Sequence, residues 1–222
     1  MKTIIAATDF SDAALNAAEY AADMALAIQA NLLLLHIYQV PVAYVEIPVA
    51  AEAEQARIDA EESLAQLKEQ LIKRTMGNIN ITGRFITGAF FPELKNVCEE
   101  IRPYAIVMGS QGTTAAQRVL FGGHTIYAMK HLAWPLITVP PHTGFSQIKK
   151  ICLACDFSNV INSTPVEEIK RLVNDFHAEL HVINSGREDK YEPDTVFESG
   201  MLQEILVPLK PQYHLITGEN TD

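Results

Sequence analysis

The chain is short of basic side chains. Seventeen Lys and Arg face twenty-seven Asp and Glu across 222 residues, a formal net charge of −10. A protein that wraps nucleic acid needs clustered cations to displace counterions, so this balance argues against that role. An acidic membrane surface is disfavoured for the same reason, which leaves room only for a local basic spot serving a small phosphate ligand. Cysteine is scarce as well: Cys98, Cys152 and Cys155 are an odd number. With an N-terminal apolar run too short for a signal peptide and Asp9 following at once, they read as reduced thiols of a cytoplasmic protein. No segment approaches the stretch of about 18 uninterrupted apolar residues that a membrane span requires. The sequence also lacks a Gly-x-Ser-x-Gly elbow, a Walker loop with its lysine, and a His-Glu-x-x-His pair. Nothing positions a general base or nucleophile, so no enzyme activity beyond slow hydrolysis is expected.

Hydrophobic content of 48% and charged content of 20% suit a globular protein with a substantial core. Short apolar runs alternate with longer helical patterns, the arrangement of βαβ units around a parallel sheet. The expectation is an α/β fold with an open five-stranded parallel sheet and helices on both faces. Ile4–Thr8 reads as a strand buried on both faces. Ser11 is the N-cap of a helix reaching about Ala30, and Asp12 sits in its first turn. Leu32–Ile37 is the second strand, and Pro41 to Pro48 a loop. Ala53, Ala56, Ala60, Leu64, Leu67 and Leu71 mark the second helix, with Gly77 ready to end it. Ile79–Thr87 reads as strand three, and Pro92 as the first residue of helix three. Tyr104–Met108 is strand four. A helix from about His124 to His131 and a fifth strand, Leu136–Val139, complete the domain.

After the Pro140–Gly144 segment the pattern starts again. Ile151-Cys152-Leu153-Ala154-Cys155-Asp156-Phe157-Ser158 repeats Ile4-Ile5-Ala6-Ala7-Thr8-Asp9-Phe10-Ser11 at a constant offset of 147. Ala178-Glu179-Leu180 echoes Ala30-Asn31-Leu32, and Leu215-Ile216-Thr217-Gly218 echoes Phe85-Ile86-Thr87-Gly88. Ordered landmarks of this kind indicate an internal duplication. The division expected is 1–140 for a complete domain, 141–147 for a linker and 148–222 for a partial second copy. Thr164-Pro165-x-Glu167 reads as a capping box that opens the copy's first helix.

Strand four runs into Gly109-Ser110-Gln111-Gly112, and Gly122-Gly123 stands just before helix four. Glycines at a strand end let backbone N–H groups approach a phosphate, and a helix N-terminus adds unpaired N–H groups and its dipole. In an open parallel sheet, ligands sit beyond the carboxyl ends of the strands where the strand order reverses. In a 3-2-1-4-5 order, the order of the family named below, strands one and four are neighbours there, which brings Thr8-Asp9 and the glycine loop to one pocket. The spacing Gly-x2-Gly-x9-Gly after Val107-Met108, together with Thr8-Asp9-Phe10-Ser11 at strand one, resembles the universal stress protein family. The resemblance covers 1–140 in full and 148–222 as a partial second domain. It implies a stress-response binding module for ATP or a related adenine nucleotide, with or without Mg2+. Asp9 would lie by the adenosine, with Thr8 beside it, and the Ile37 backbone would meet the adenine. Gly109, Gly112, Gly122 and Gly123, followed by His124, would hold ribose and phosphates.

At Gly123 the family's nucleotide-binding pattern has Ser or Thr, so a hydroxyl donor is lost while the backbone N–H stays. One hydrogen bond to a charged group contributes roughly 1.5–3 kcal/mol, enough to lower affinity without abolishing it; His124 or Thr125 would be the nearest replacement donors. The plainer readings stand beside these. The glycines serve as turn residues in a nucleotide-free dimerisation or scaffold protein, Asp9 caps the strand-to-helix turn, and Arg118 is solvated rather than bound to phosphate. An ATP-using enzyme is disfavoured, because Asp9-Phe10-Ser11-Asp12 stands where adenylate-forming relatives place a Gly-rich loop. Cys152-x-x-Cys155 lies on an expected buried strand with no second pair to complete four ligands, and reads as core cysteines. His177 and His181 read as ordinary surface or strand residues.

The copy stops after its third strand. The expectation is a lost C-terminal part, or a degenerate domain that draws its cover from elsewhere, because its first strand would otherwise be an uncovered edge. Members of the family pair through their fifth strands, so the resemblance also implies a homodimer through Leu136–Val139.

Overall fold

The computed structural model describes residues 1–39, 49–110, 123–157, 160, 164–184 and 193–215. The chain divides into two compact units, Met1–Phe145 and Ser146–Asp222. In the first, β1 (Thr3–Ala7), β2 (Asn31–Tyr38), β3 (Ile81–Thr87), β4 (Ala105–Gly109) and β5 (Leu136–Val139) form one parallel sheet in the order β3-β2-β1-β4-β5. Four of the five β1 residues are buried, as a central strand covered on both faces must be.

Helix α1 (Asp12–Ala27) starts where Ser11 Oγ accepts the Ala14 N–H at 3.3 Å. Its inward face is Ala14, Ala17, Ala18, Ala21, Ala22, Met24 and Ala25. So many small side chains let the helix axis lie close to the sheet. It ends at Ala27, short of Ala30, because Gln29 turns left-handed at φ 51°. Helix α2 (Val49–Arg74) buries Ala60, Leu64, Leu67 and Leu71, and Gly77 closes it at φ 70°. Helix α3 (Phe90–Ile101) begins two residues before Pro92. The proline therefore occupies the third position, where its missing N–H still deprives the helix of nothing. Helix α4 covers Gly123–His131. Ile5, Leu33, Leu35, Ile106 and Met108 of the sheet pack with Leu94, Val97 and Cys98 of α3 and Ala128 of α4. Each large side chain buried there contributes about 1.5–3 kcal/mol.

The stretch after β5 is tied to α1. Asn16 Nδ2 donates to the carbonyls of Pro140 at 3.2 Å and Thr143 at 3.3 Å, and Phe145 meets Tyr20 edge-on at 5.3 Å.

In the second unit β6 (Lys150–Ala154), β7 (Glu179–Asn184) and β8 (Gln212–Leu215) form a parallel sheet in the order β6-β7-β8, with α5 (Val166–Phe176) and α6 (Pro193–Leu206). The geometry follows the first unit closely. Ala7 pairs with Leu35 as Ala154 pairs with Ile183, and His36 with Phe85 as Asn184 with Leu215. Asn31 N–H donates to Lys2 O and Glu179 N–H to Lys149 O, both at 2.9 Å. Left-handed φ values recur at Phe10 (61°) and Phe157 (59°), and at Gln29 and His177 (51° each).

Two expectations need correction here. The capping box does not form: Pro165 is the N-cap of α5 and no side chain caps it, because the helix starts one residue later than the motif requires. Cys152 is exposed and Cys155 half-buried. Among the described residues β6 is an edge strand, and only its Ile151–Leu153 side meets the α5–α6 core. His181 stands on strand β7, one of the two readings given it, and is buried there. Its Nδ1 lies 2.9 Å from His214 Nε2, and the His214 ring shields it.

Candidate functional site

The polypeptide leaves β1 through an unusual turn. Thr8 is buried, and its N–H donates to Leu35 O at 2.9 Å. Its Oγ1 accepts the Phe10 N–H at 3.0 Å. Phe10 itself sits at φ 61°, a conformation costing a non-glycine residue about 1–2 kcal/mol. Two contacts offset that cost: the hydrogen bond to Thr8, and stacking of the Phe10 ring on His36 at 4.7 Å. His36 Nδ1 in turn lies 2.8 Å from Thr8 O. This bolt joins the carboxyl ends of β1 and β2. The stack continues from His36 to Phe85 at 5.8 Å and from Phe85 to Tyr38 at 6.4 Å.

Asp9 is exposed at the mouth of this turn. Its Oδ1 accepts the Ser11 N–H at 3.0 Å and the Ser11 hydroxyl at 2.5 Å. The carboxylate therefore caps the turn, as the plainer reading of the sequence holds. It also remains open to solvent on a side where a ligand hydroxyl could reach it.

Gly109 ends β4, and the β1–β4 register, Ala6 beside Val107, carries Thr8 to the level of Gly109. A Cβ on Gly109 would lie 2.7 Å from Ala13 O and 2.9 Å from Ala13 C. The glycine is thus required by the close approach of the first turn of α1, independently of any phosphate. Ser110 is buried, and its N–H donates to Val139 O at 2.9 Å.

Of the sequence-derived site residues, Thr8, Asp9 and Gly109 come together at the switch point between β1 and β4. Ile37 lies near the carboxyl end of the neighbouring β2, paired with Ile86. Gly123 and His124 open α4. Gly112, Gly122 and Arg118 lie outside the described residues. No group of three or more potential metal ligands is found among the described residues, and no helix there is long and apolar enough to cross a membrane.

Sequence reasoning missed Phe10, His36 and Ala13. A signal for the first existed, since Phe157 repeats Phe10 at the same offset. For His36 the clue lay in function rather than identity: Asn184 takes its place and donates to Cys155 O at 2.7 Å.

Two solved structures give the comparison in space. A universal stress protein from Archaeoglobus fulgidus matches over 96% of this chain and 75% of its own, at 20% identity and a TM-score of 0.69. Universal stress protein UspA from Lactobacillus plantarum matches over 62% of this chain and 97% of its own, at 24% identity and a TM-score of 0.56. Both share the fold. None of the curated proteins compared with the chain matches it. The sequence model of the universal stress protein family matches residues 1–140. That match covers all five strands of the first sheet and both sides of its switch point, and the chain belongs to the universal stress protein family.

Proposed function

We propose that the first unit binds ATP or a related adenine nucleotide at the carboxyl ends of β1 and β4, and that the protein works in the cytoplasm as a regulatory binding module. One observation carries this reading. The exposed Asp9 carboxylate, Gly109 at the end of β4 and the N-terminus of α4 belong to elements ordered around the switch point of an open parallel sheet. Ribose hydroxyls suit the carboxylate, and phosphates suit the backbone N–H groups of the glycine-rich segment and of α4. Hydrolysis, if it occurs, is slow, since no described side chain is placed as a base.

Calorimetric titration with ATP, with and without Mg2+, tests the reading. One nucleotide bound to the first unit is expected. Asp9→Ala should weaken the affinity severalfold or more. Asp9→Asn, which keeps an acceptor for Ser11, separates loss of a ligand contact from loss of the turn. Absence of heat and of any thermal shift at millimolar ATP would reject nucleotide binding.

A second reading has its own support. Asp9 and Gly109 both have sufficient structural employment without a ligand, one in the turn and one against Ala13. A nucleotide-free scaffold of this fold would keep both residues. In either case we place a homodimer contact on β5, an edge of the sheet among the described residues. β5 turns Ile137 and Val139 toward β4, so Leu136 and Thr138 face outward. Thr138→Pro should therefore halve the mass seen by light scattering.

A further inference from the structure

A residue's place in the backbone is set by the two peptide planes that flank its Cα, because each plane is rigid and only φ and ψ are soft. Both planes around Asp9 are held. The plane before it carries the Thr8 carbonyl, and His36 Nδ1 lies 2.8 Å from Thr8 O. A carbonyl only accepts, so Nδ1 carries the proton and donates. The plane after it carries the Phe10 N–H, which donates to Thr8 Oγ1 at 3.0 Å. Phe10 then takes φ 61°, uncommon for a residue with a side chain, and its ring stacks on His36 at 4.7 Å. His36 therefore holds the chain on each side of Asp9, from a different strand. Only the side-chain torsions remain, and Ser11 fixes them by donating its N–H and its hydroxyl to Oδ1. Oδ2 is the oxygen left to face a ligand.

The second unit builds the same clamp from other residues. Asn184 Nδ2 donates to Cys155 O at 2.7 Å, in the plane that precedes Asp156. The Phe157 N–H donates to Cys155 Sγ at 3.4 Å, and Phe157 has φ 59°. Histidine has become asparagine and the threonine oxygen a cysteine sulfur, while both bonds and the left-handed residue persist. What repeats is the restraint on the aspartate's two planes, not any one side chain. We propose that His36 is a positioning residue for the Asp9 carboxylate. It holds the turn so that Oδ2 meets a ribose hydroxyl without further ordering, and it acts through the turn and not by contact with the nucleotide. The role presupposes the nucleotide binding proposed above for the first unit. A group held in its bound position beforehand adds affinity, because the cost of ordering it on binding is removed.

ATP titration over a double-mutant cycle separates this role from a general loosening of the fold. In the full chain, His36→Ala should weaken ATP binding about fivefold or more, yet less than about twofold in an Asp9→Ala background. His36→Asn, which borrows the donor of the second unit, should return affinity to within about threefold of the parent. Dideoxy-ATP without either ribose hydroxyl should bind the parent and His36→Ala alike. Amide exchange without nucleotide gives an independent reading. The Phe10 and Ser11 N–H groups should exchange about tenfold faster or more in His36→Ala, while those of Leu33 and Leu34 in β2 keep their protection. Should His36→Ala not fold, His36→Leu, which fills the space without a donor, takes its place. A parent that binds no ATP would overturn nucleotide binding, and the exchange rates would then decide whether His36 holds the turn. Unchanged exchange at Phe10 and Ser11 in a folded variant, an equal loss of ATP affinity with and without Asp9, or no recovery by His36→Asn overturns the proposal.

Discussion

Replacing Gly109 by alanine isolates the packing role of the glycine at the end of β4. The added Cβ would lie 2.7 Å from Ala13 O, 2.9 Å from Ala13 C and 3.2 Å from Ala13 Cβ. Two of these are backbone atoms in the first turn of α1, so no rotamer change relieves the contact. The helix must retreat, and the close seat of its alanine face on the sheet is loosened along with it. Overpacking of this kind costs about 1–3 kcal/mol. In a chain of this size each kcal/mol lowers Tm by about 2–4 °C, a total of about 2–12 °C. The single tryptophan, Trp134, belongs to the first unit, so its fluorescence during urea unfolding follows the unit in question. A variant within about 0.5 kcal/mol of the parent, the usual range for inconsequential surface changes, would refute the packing argument. Loss of ATP binding by Gly109→Ala, taken alone, would not locate a phosphate contact. Asp9→Asn, which leaves this contact intact, is the cleaner probe.

Three further outcomes follow from the geometry. His36→Ala removes both the bond to Thr8 O and the ring beneath Phe10, and should cost about 1–2 kcal/mol in urea unfolding, one net hydrogen bond plus a stacking contact. His36→Asn borrows the device seen at Asn184 and should recover the hydrogen-bond part. The Cys98 thiol, pushed up to about 12 by burial, stays protonated at ordinary pH. Alkylation by iodoacetamide at mildly alkaline pH should reach exposed Cys152 long before Cys98, and comparable rates would mean that the α3 core opens readily. Arg74 holds Asp23 through two bonds of 2.8 Å and Glu19 at 3.0 Å. These partners are half open to water, so Arg74→Ala should cost under about 1 kcal/mol, less still in high salt.

Much of the first unit is legible from local pattern alone. The Ala60, Leu64, Leu67, Leu71 stripe marks α2 by its period, Ser11 marks the start of α1 by its capping chemistry, and the run Ile4–Ala7 marks a strand with two covered faces. The spacing of Gly109, Gly112, Gly122 and Gly123, joined to Asp9, also locates the switch-point site through the family resemblance, since the βαβ pattern by itself gives a parallel sheet but not the lateral order of its strands. Element ends are less legible. Pro165 as N-cap and the left-handed Gln29 depend on backbone torsions that several residue types can adopt. The repeat is visible as text, yet text treats Cys152 as it treats Ile5, and it is the lack of a described neighbour beyond β6 that leaves one exposed and the other buried.

What the sequence by itself determined is the order and kind of the elements, the duplication and the glycine-rich segment, since each is written in spacing along the chain. Tertiary structure alone decided that Gly109 makes room for Ala13, that His36 bolts Thr8 across two strands, and that the backbone N–H and C=O groups of Lys150, Cys152 and Ala154 point away from β7. These are matters of approach between segments distant in sequence, set by the lateral order of strands and by how closely an alanine-faced helix can settle on them.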